Sequence, residues 1–114
     1  MKEALPVEIE RFLSDHIDSV EAINVLILLF AHASRRWTVE DVGHESRTNG
    51  WSAEMHLRAL SEHGLLRIDR GPPATYQADP TYTGIVSLLA RTFLERRVSV
   101  ISFIYSRPER GKAG

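Results

Sequence analysis

The chain contains no cysteine among its 114 residues. Without thiols it cannot hold a disulfide framework, a thiolate zinc site or a cysteine nucleophile. It also lacks a long apolar run: the longest, from Ala22 to Ala33, is interrupted by Asn24 and is shorter than the roughly 20 residues that a membrane helix needs. The segment 1–6 has no apolar core of a secretory signal. We therefore expect a cytoplasmic protein that makes no membrane contact.

The sequence has little net charge, −1 overall, but the charge is unevenly distributed. Residues 1–34 carry two basic and six acidic side chains, whereas residues 91–114 carry six basic and two acidic ones. Such an acidic start and basic end favour contact between the two ends, within one chain or across a dimer. The alternative is that the two segments are solvated helix faces of different composition.

No constellation of residues indicates an enzyme, a metal site or a cofactor. The Gly71-Pro72-Pro73 segment lacks the free backbone N–H groups that a phosphate-binding loop needs. His56 and His63 are spaced to share a helix side, but no carboxylate–histidine spacing stands out. We expect no metal, no cofactor and no catalysis, and we expect Trp37 and Trp51 to pack rather than to bind a ligand.

The periodicity predicts a single α-rich domain over residues 1–107, with a flexible tail at 108–114. It begins with a helix pair, of which the second helix, about 19–34, has Asp18 as its expected cap and is apolar on nearly all sides. Thr38 and Asp41 predict a capping box for a short helix over 38–46. After a turn, Ser52 is the expected cap of a helix that runs to about residue 63. The buried core is expected to contain the following residues: Leu26, Leu29, Phe30, Leu57, Leu60 and Leu66.

Gly64 follows this last helix, where glycine commonly adopts the left-handed conformation that ends a helix. Two short strands are then expected over about 65–78, and Pro80 begins a helix predicted to continue to residue 105. A helix of that length spans about 39 Å at 1.5 Å per residue, more than a domain of this size needs.

The segment 37–68 resembles the bacterial winged helix-turn-helix transcriptional regulators. Its residues Leu57, Leu60, Gly64 and Leu65 match the Leu-x-x-Leu-x-x-x-Gly-Leu pattern that joins the recognition helix to the wing in that group. The residues around His16–Glu21 and Glu95–Ile101 are also similar to a small set of such proteins without a settled function. The resemblance implies a winged helix-turn-helix over 37–78, with an N-terminal helix pair and a long C-terminal helix.

This fold implies a transcriptional regulator that binds double-stranded DNA as a dimer. Near the N-terminus of the recognition helix, residues would face the major groove, and basic residues of the turn and wing would contact phosphate. The expected DNA-binding residues are Arg47, Thr48, Asn49, Ser52, Met55, Arg58, Arg67 and Arg70.

The charge of this region argues for an alternative. DNA affinity depends largely on phosphate contacts, yet residues 35–90 carry six arginines against seven acids. The alternative is a protein-interaction module with a winged-helix fold that does not bind DNA directly and, for example, docks onto the transcription machinery.

The helix over 80–105 is expected to mediate the dimer, because its apolar surface exceeds what one small core covers. The expected dimerisation residues are Val86, Leu89, Phe93, Val100, Ile101 and Ile104. The competing interpretation is a kink near residues 95–97, after which the helix folds back on its own domain.

Overall fold

A computed structural model describes residues 5–47 and 49–106. Within these residues the chain is mostly helical and contains one two-stranded antiparallel sheet. The elements are α1 (Val7–His16), α2 (Val20–Ala31), α3 (Val39–Ser46), α4 (Gly50–Glu62), β1 (Leu66–Asp69), β2 (Thr75–Ala78), a 3₁₀ turn (Pro80–Tyr82), α5 (Thr83–Glu95) and α6 (Arg97–Ser106). This order, with its helix-turn-helix and hairpin, is the winged helix-turn-helix fold that the sequence predicts.

Helix α2 forms the centre of the core. It contacts α3, α4, α5 and β2, which is the environment that its apolar sequence demands. Leu26 and Leu29 are fully buried, as predicted, and so are Leu57 and Leu60 of α4. Phe30 packs against the core but stays partly exposed, so its predicted burial is wrong: α2 is covered on most sides but not on all of them.

Side-chain caps fix where the helices begin. The Thr38 hydroxyl accepts a hydrogen bond from the backbone N–H of Asp41 at 3.0 Å, and the Asp41 carboxylate accepts one from the N–H of Thr38 at 3.1 Å. The predicted capping box is therefore present. The predicted cap of α2 is wrong by one residue, because Ser19 rather than Asp18 caps it and accepts from the N–H of Ala22.

The wing is a short hairpin joined to the end of α4. Gly64, with φ of +82°, turns the chain so that Leu65 and Leu66 enter the core. Strand β1 pairs with β2, with Leu66 opposite Ala78. Trp37 adds a bridge to Tyr76 through two backbone hydrogen bonds of 2.8 Å, which ties the entry to α3 onto the wing.

The C-terminal segment is broken, which corrects the predicted single helix over 80–105. Residues Pro80–Tyr82 form a 3₁₀ turn, and Arg96, at φ −134° and ψ 51°, separates α5 from α6. The break lets α6 fold back so that both α5 and α6 contact α1. Burial of apolar side chains in the protomer's own core is therefore favoured over continuation of a single helix.

This fold-back corrects the choice of dimerisation residues. Ile101 stays half-exposed, but the other five are buried inside the protomer and have no surface left for a partner: Val86, Leu89, Phe93, Val100 and Ile104. Among the described residues, no helix has both the length and the apolar character needed to span a bilayer.

Candidate nucleic-acid interface

Helix α4 is seated by one buried stripe and presents the opposite face to solvent. Ala53, Leu57 and Leu60 are buried, at the three- and four-residue spacing of one helix face. The Asn49 side chain caps the helix by accepting from the N–H of Ser52 at 2.8 Å. Ser52 was expected to be the cap; instead it is half-buried within the first turn.

The solvent-facing side of α4 forms a shallow groove of about 360 Å³. Trp51 is 73% exposed and Met55 45% exposed, one turn apart. The expectation that both tryptophans pack is thus wrong for Trp51, whereas Trp37 is fully buried. Met55 was predicted on this face, and its four-residue spacing from Trp51, with both residues off the Ala53–Leu57–Leu60 stripe, is the sequence signal that could have added Trp51. The groove is lined by Trp51, Glu54, Met55, Arg58, Ala59 and Glu62.

Acidic side chains accompany the arginines of this region. Arg58 of α4 pairs with Glu54 at 3.0 Å, and Arg67 of β1 lies 3.9 Å from Asp79. Before α3, Arg35 lies 3.6 Å from Asp41 and Arg36 lies 3.8 Å from Asp69. In each pair the arginine side chain is at least 44% exposed, so the ion pair is weak and the arginine can exchange its carboxylate for another anion.

Backbone hydrogen bonds keep two of these carboxylates ionised. The N–H of Thr38 lowers the pKa of Asp41 below its ordinary value of 3.8, and the nearby Arg35 acts in the same direction. The N–H of Thr81, at 2.9 Å, likewise lowers the pKa of Asp79, with Arg67 adding to the effect. Asp41 and Asp79 therefore stay ionised to lower pH than an ordinary aspartate.

Arg47 and Arg70 differ from these four, because within the described ranges neither has a carboxylate partner. Arg47 ends α3 in a left-handed conformation, at φ 58°, in the turn that leads to α4. Arg70 lies at the wing tip, next to Asp69, whose carboxylate accepts from the N–H of Gly71. Both guanidinium groups are exposed and available to an anion.

The predicted DNA-binding residues thus fall into separate groups. Met55 and Arg58 share the α4 groove, whereas Arg67 lines a second groove with Arg36 along the wing. The Asn49 side chain is occupied in the cap of α4, where it accepts from the backbone N–H of Ser52. Thr48, which was predicted with them, lies outside the described residues.

The described residues contain no cluster of histidine and acidic side chains suited to a metal ion. Over residues 5–47 and 49–106 no group of three or more histidine or acidic side chains is arranged to hold a metal ion.

Comparison with solved structures shows a similar fold in another protein. No protein-family model matches the chain, and no curated protein matches it in sequence. The fold is similar to the solution structure of the homodimeric winged helix-turn-helix DNA-binding domain (fragment 1–100) Mb0332 from Mycobacterium bovis, a possible ArsR-family transcriptional regulator. The TM-score is 0.59 at 18% identity, over 84% of this chain and 93% of that one. At this identity the likeness establishes the winged helix-turn-helix fold alone.

Proposed function

We propose that this protein is a transcriptional regulator that binds double-stranded DNA through α4 and the wing and acts as a dimer. The observation that carries the proposal is the exposed face of α4, a recognition helix seated by its opposite stripe in a winged helix-turn-helix fold. The similar fold from Mycobacterium bovis is a homodimeric DNA-binding domain, which supports the same assignment.

The α4 face supplies the side chains for the major groove. Trp51 and Met55 lie in the first two turns of α4, the part of a recognition helix that contacts base edges. Their apolar surfaces suit the methyl group of thymine, and Arg58, once released from Glu54, suits a guanine edge or a phosphate.

Arg47 and Arg70 are the proposed phosphate contacts. They lie at the two ends of the motif, in the turn before α4 and at the wing tip, and have no internal carboxylate to displace. Arg58 and Arg67 must first exchange a carboxylate for a phosphate. One copy therefore makes few strong phosphate contacts, and a dimer doubles that number on one duplex.

Titration of a fluorescent duplex at several salt concentrations tests this function. Binding should weaken as salt rises, and Arg47→Ala and Arg70→Ala should each reduce the slope of log affinity against log salt by about 1. Arg11→Ala, which removes an exposed arginine from α1, is the matched control and should leave the slope unchanged. Absence of binding to pooled genomic fragments at low salt would overturn the proposal.

A protein-interaction module is the second candidate, and the α4 groove is the observation that favours it. Trp51 is among the residue types that dominate protein–protein contacts, and here it lines the groove together with Met55 and two acidic side chains, Glu54 and Glu62. A folded protein that binds no DNA at any salt concentration would favour this candidate.

A further inference from the structure

The side chains that line the α4 groove fall into two rows. Residues four apart lie one above the other along a helix, and the six groove residues form two such series. The apolar row consists of Trp51, Met55 and Ala59, and the charged row consists of Glu54, Arg58 and Glu62. An apolar surface therefore runs along α4 beside charges of both signs.

The first two turns of α4 carry few groups that can hydrogen-bond to a base. Over residues 50–57 the exposed side chains are those of Trp51, Glu54 and Met55. The indole of tryptophan only donates, and the thioether of methionine is a weak acceptor. The Glu54 carboxylate already accepts a hydrogen bond of 3.0 Å from Arg58. These turns therefore suit an apolar feature of DNA better than the hydrogen-bonding edge of a purine.

The major groove displays one such feature, the C5-methyl group of thymine. We infer that Trp51 and Met55 determine sequence specificity by packing against thymine methyl groups. Trp51 is 73% exposed and Met55 45% exposed, so both have apolar surface to bury. This inference rests on the proposed function, because it requires α4 to enter the major groove.

The charged row fixes which end of α4 can approach the bases. Glu62, the last residue of the helix, repels phosphate, and it lies eleven residues after Trp51. That separation is about 16 Å along the helix axis. Docking through the first two turns keeps Glu62 away from the DNA backbone and places the apolar row at the base edges. The partial positive charge of the helix N-terminus favours the same orientation.

An apolar surface of this kind recognises the methyl group rather than the base pair. 5-Methylcytosine carries the same group on the same ring carbon as thymine. At a contacted position, methylation of a cytosine should therefore raise the affinity, as a thymine does relative to a uracil. The methylation state of the duplex becomes a determinant of binding at these positions.

Replacing each thymine of a bound duplex by uracil tests the inference, because uracil lacks only the methyl group. The duplex is first selected by the full chain from a random-sequence pool at low salt, and affinities are measured by fluorescence anisotropy. At the contacted positions uracil should weaken binding by about fourfold, the effect of exposing one methyl-sized apolar group. Cytosine and 5-methylcytosine at the same positions should differ by about the same factor.

Variants of the apolar row identify the residues that make the contact. Met55→Gln and Trp51→Gln change exposed side chains and should fold normally. Each should bring the thymine-to-uracil affinity ratio to about one at the position that it contacts. Val7→Gln changes an apolar side chain of α1 that is 67% exposed. It is the matched control and should leave every ratio unchanged.

The outcomes separate this inference from the proposed function. A bound duplex with a ratio of about one at every thymine would overturn the inference and leave DNA binding intact. Ratios that persist in both Met55→Gln and Trp51→Gln would also overturn it. If no duplex from the pool binds at low salt, the inference and the proposed function both fail, and the apolar row then favours the protein-interaction candidate.

Discussion

The Arg58 guanidinium lies 3.0 Å from the Glu54 carboxylate, one turn away on the exposed face of α4. Both side chains line the groove that also contains Trp51 and Met55. The pair neutralises the one arginine among the residues that line this groove, while Glu62 adds a further negative charge to the same face. In the proposed function, DNA must therefore compete with the Glu54 carboxylate for Arg58.

Glu54→Gln should tighten DNA binding. The change removes a charge that repels phosphate and releases Arg58, so the salt slope should increase by about 1 as one more phosphate contact forms. Fluorescence anisotropy with a labelled duplex at several salt concentrations measures both quantities.

Glu21→Gln, which removes the same charge from the exposed start of α2, is the control. An equal gain from Glu21→Gln would show that only the overall charge matters and that the Arg58–Glu54 pair has no special role.

The capping box of α3 should contribute a measurable part of the stability. Thr38→Ala removes the side-chain acceptor for the N–H of Asp41 and should lower the free energy of unfolding by about 1 kcal/mol. Chemical denaturation at neutral pH measures it. Ser61→Ala is a suitable comparison, because its hydroxyl donates to the Arg58 carbonyl on an exposed surface and caps no helix start. Equal losses from the two variants would contradict the importance of the cap.

The partner carboxylate makes this contribution dependent on pH. Since the folded-state pKa of Asp41 is below its ordinary value of 3.8, its stabilisation is fully present above that value and is lost as the pH falls through the folded-state pKa. Asp41→Asn should therefore be less stable than the natural chain at pH 7, with a difference that shrinks below about pH 4. A difference that stays constant down to pH 2 would refute this linkage.

Gly64→Ala should destabilise the fold without any steric clash. A Cβ at this position would meet only the Tyr82 hydroxyl, at 3.9 Å, so the cost of about 1–2 kcal/mol comes from the left-handed backbone at φ +82°. Gly84→Ala is the matched control: it lies near the start of α5 with no atom within 4 Å of its Cβ, and it should stabilise by about 0.4–1 kcal/mol. Thermal unfolding of the two variants should shift in opposite directions, and a shift in the same direction would refute the argument.

Local signals in the sequence were sufficient for the helix-turn-helix and the wing. The Thr38–Asp41 box and Gly64 each act within a few residues, and both occur where they were predicted. Local signals did not predict the break at Arg96. The apolar residues on either side of it, such as Phe93 and Val100, are spaced as in one continuous helix, so the pattern fits a straight helix and a broken one equally well. The contact that α5 and α6 both make with α1 decides between the straight and the broken helix.

The candidate site was only partly predictable for a similar reason. The position of Met55 and Arg58 on the face opposite Leu57 follows from helical periodicity. The ion pair between Arg36 and Asp69 joins distant segments, and spacing along the chain carries no information about it.

Because the fold-back at Arg96 buries most of the predicted dimerisation residues, a dimer must use other apolar residues of α5 and α6. Leu94 is 84% exposed, Val98 76% and Tyr105 70%, although each has a large apolar side chain. Val98 and Tyr105 are seven residues apart and share one side of α6, with the half-exposed Ile101 between them. This apolar strip is the surface on which a second copy would pack.

The proposed dimer is tested by placing charges on this strip and on the exposed Leu94 of α5. Because Leu94 and Val98 are exposed, the double variant Leu94→Glu/Val98→Glu should fold with nearly unchanged stability and lose self-association. Light scattering should then give the mass of one chain at protein concentrations where the natural chain gives two. Met55→Glu places the same charge on the exposed face of α4 and should abolish DNA binding while leaving the dimer intact. A single-chain mass for the natural protein at high micromolar concentration would show that α6 only closes its own domain, and the proposed regulator would then have to bind DNA as a monomer.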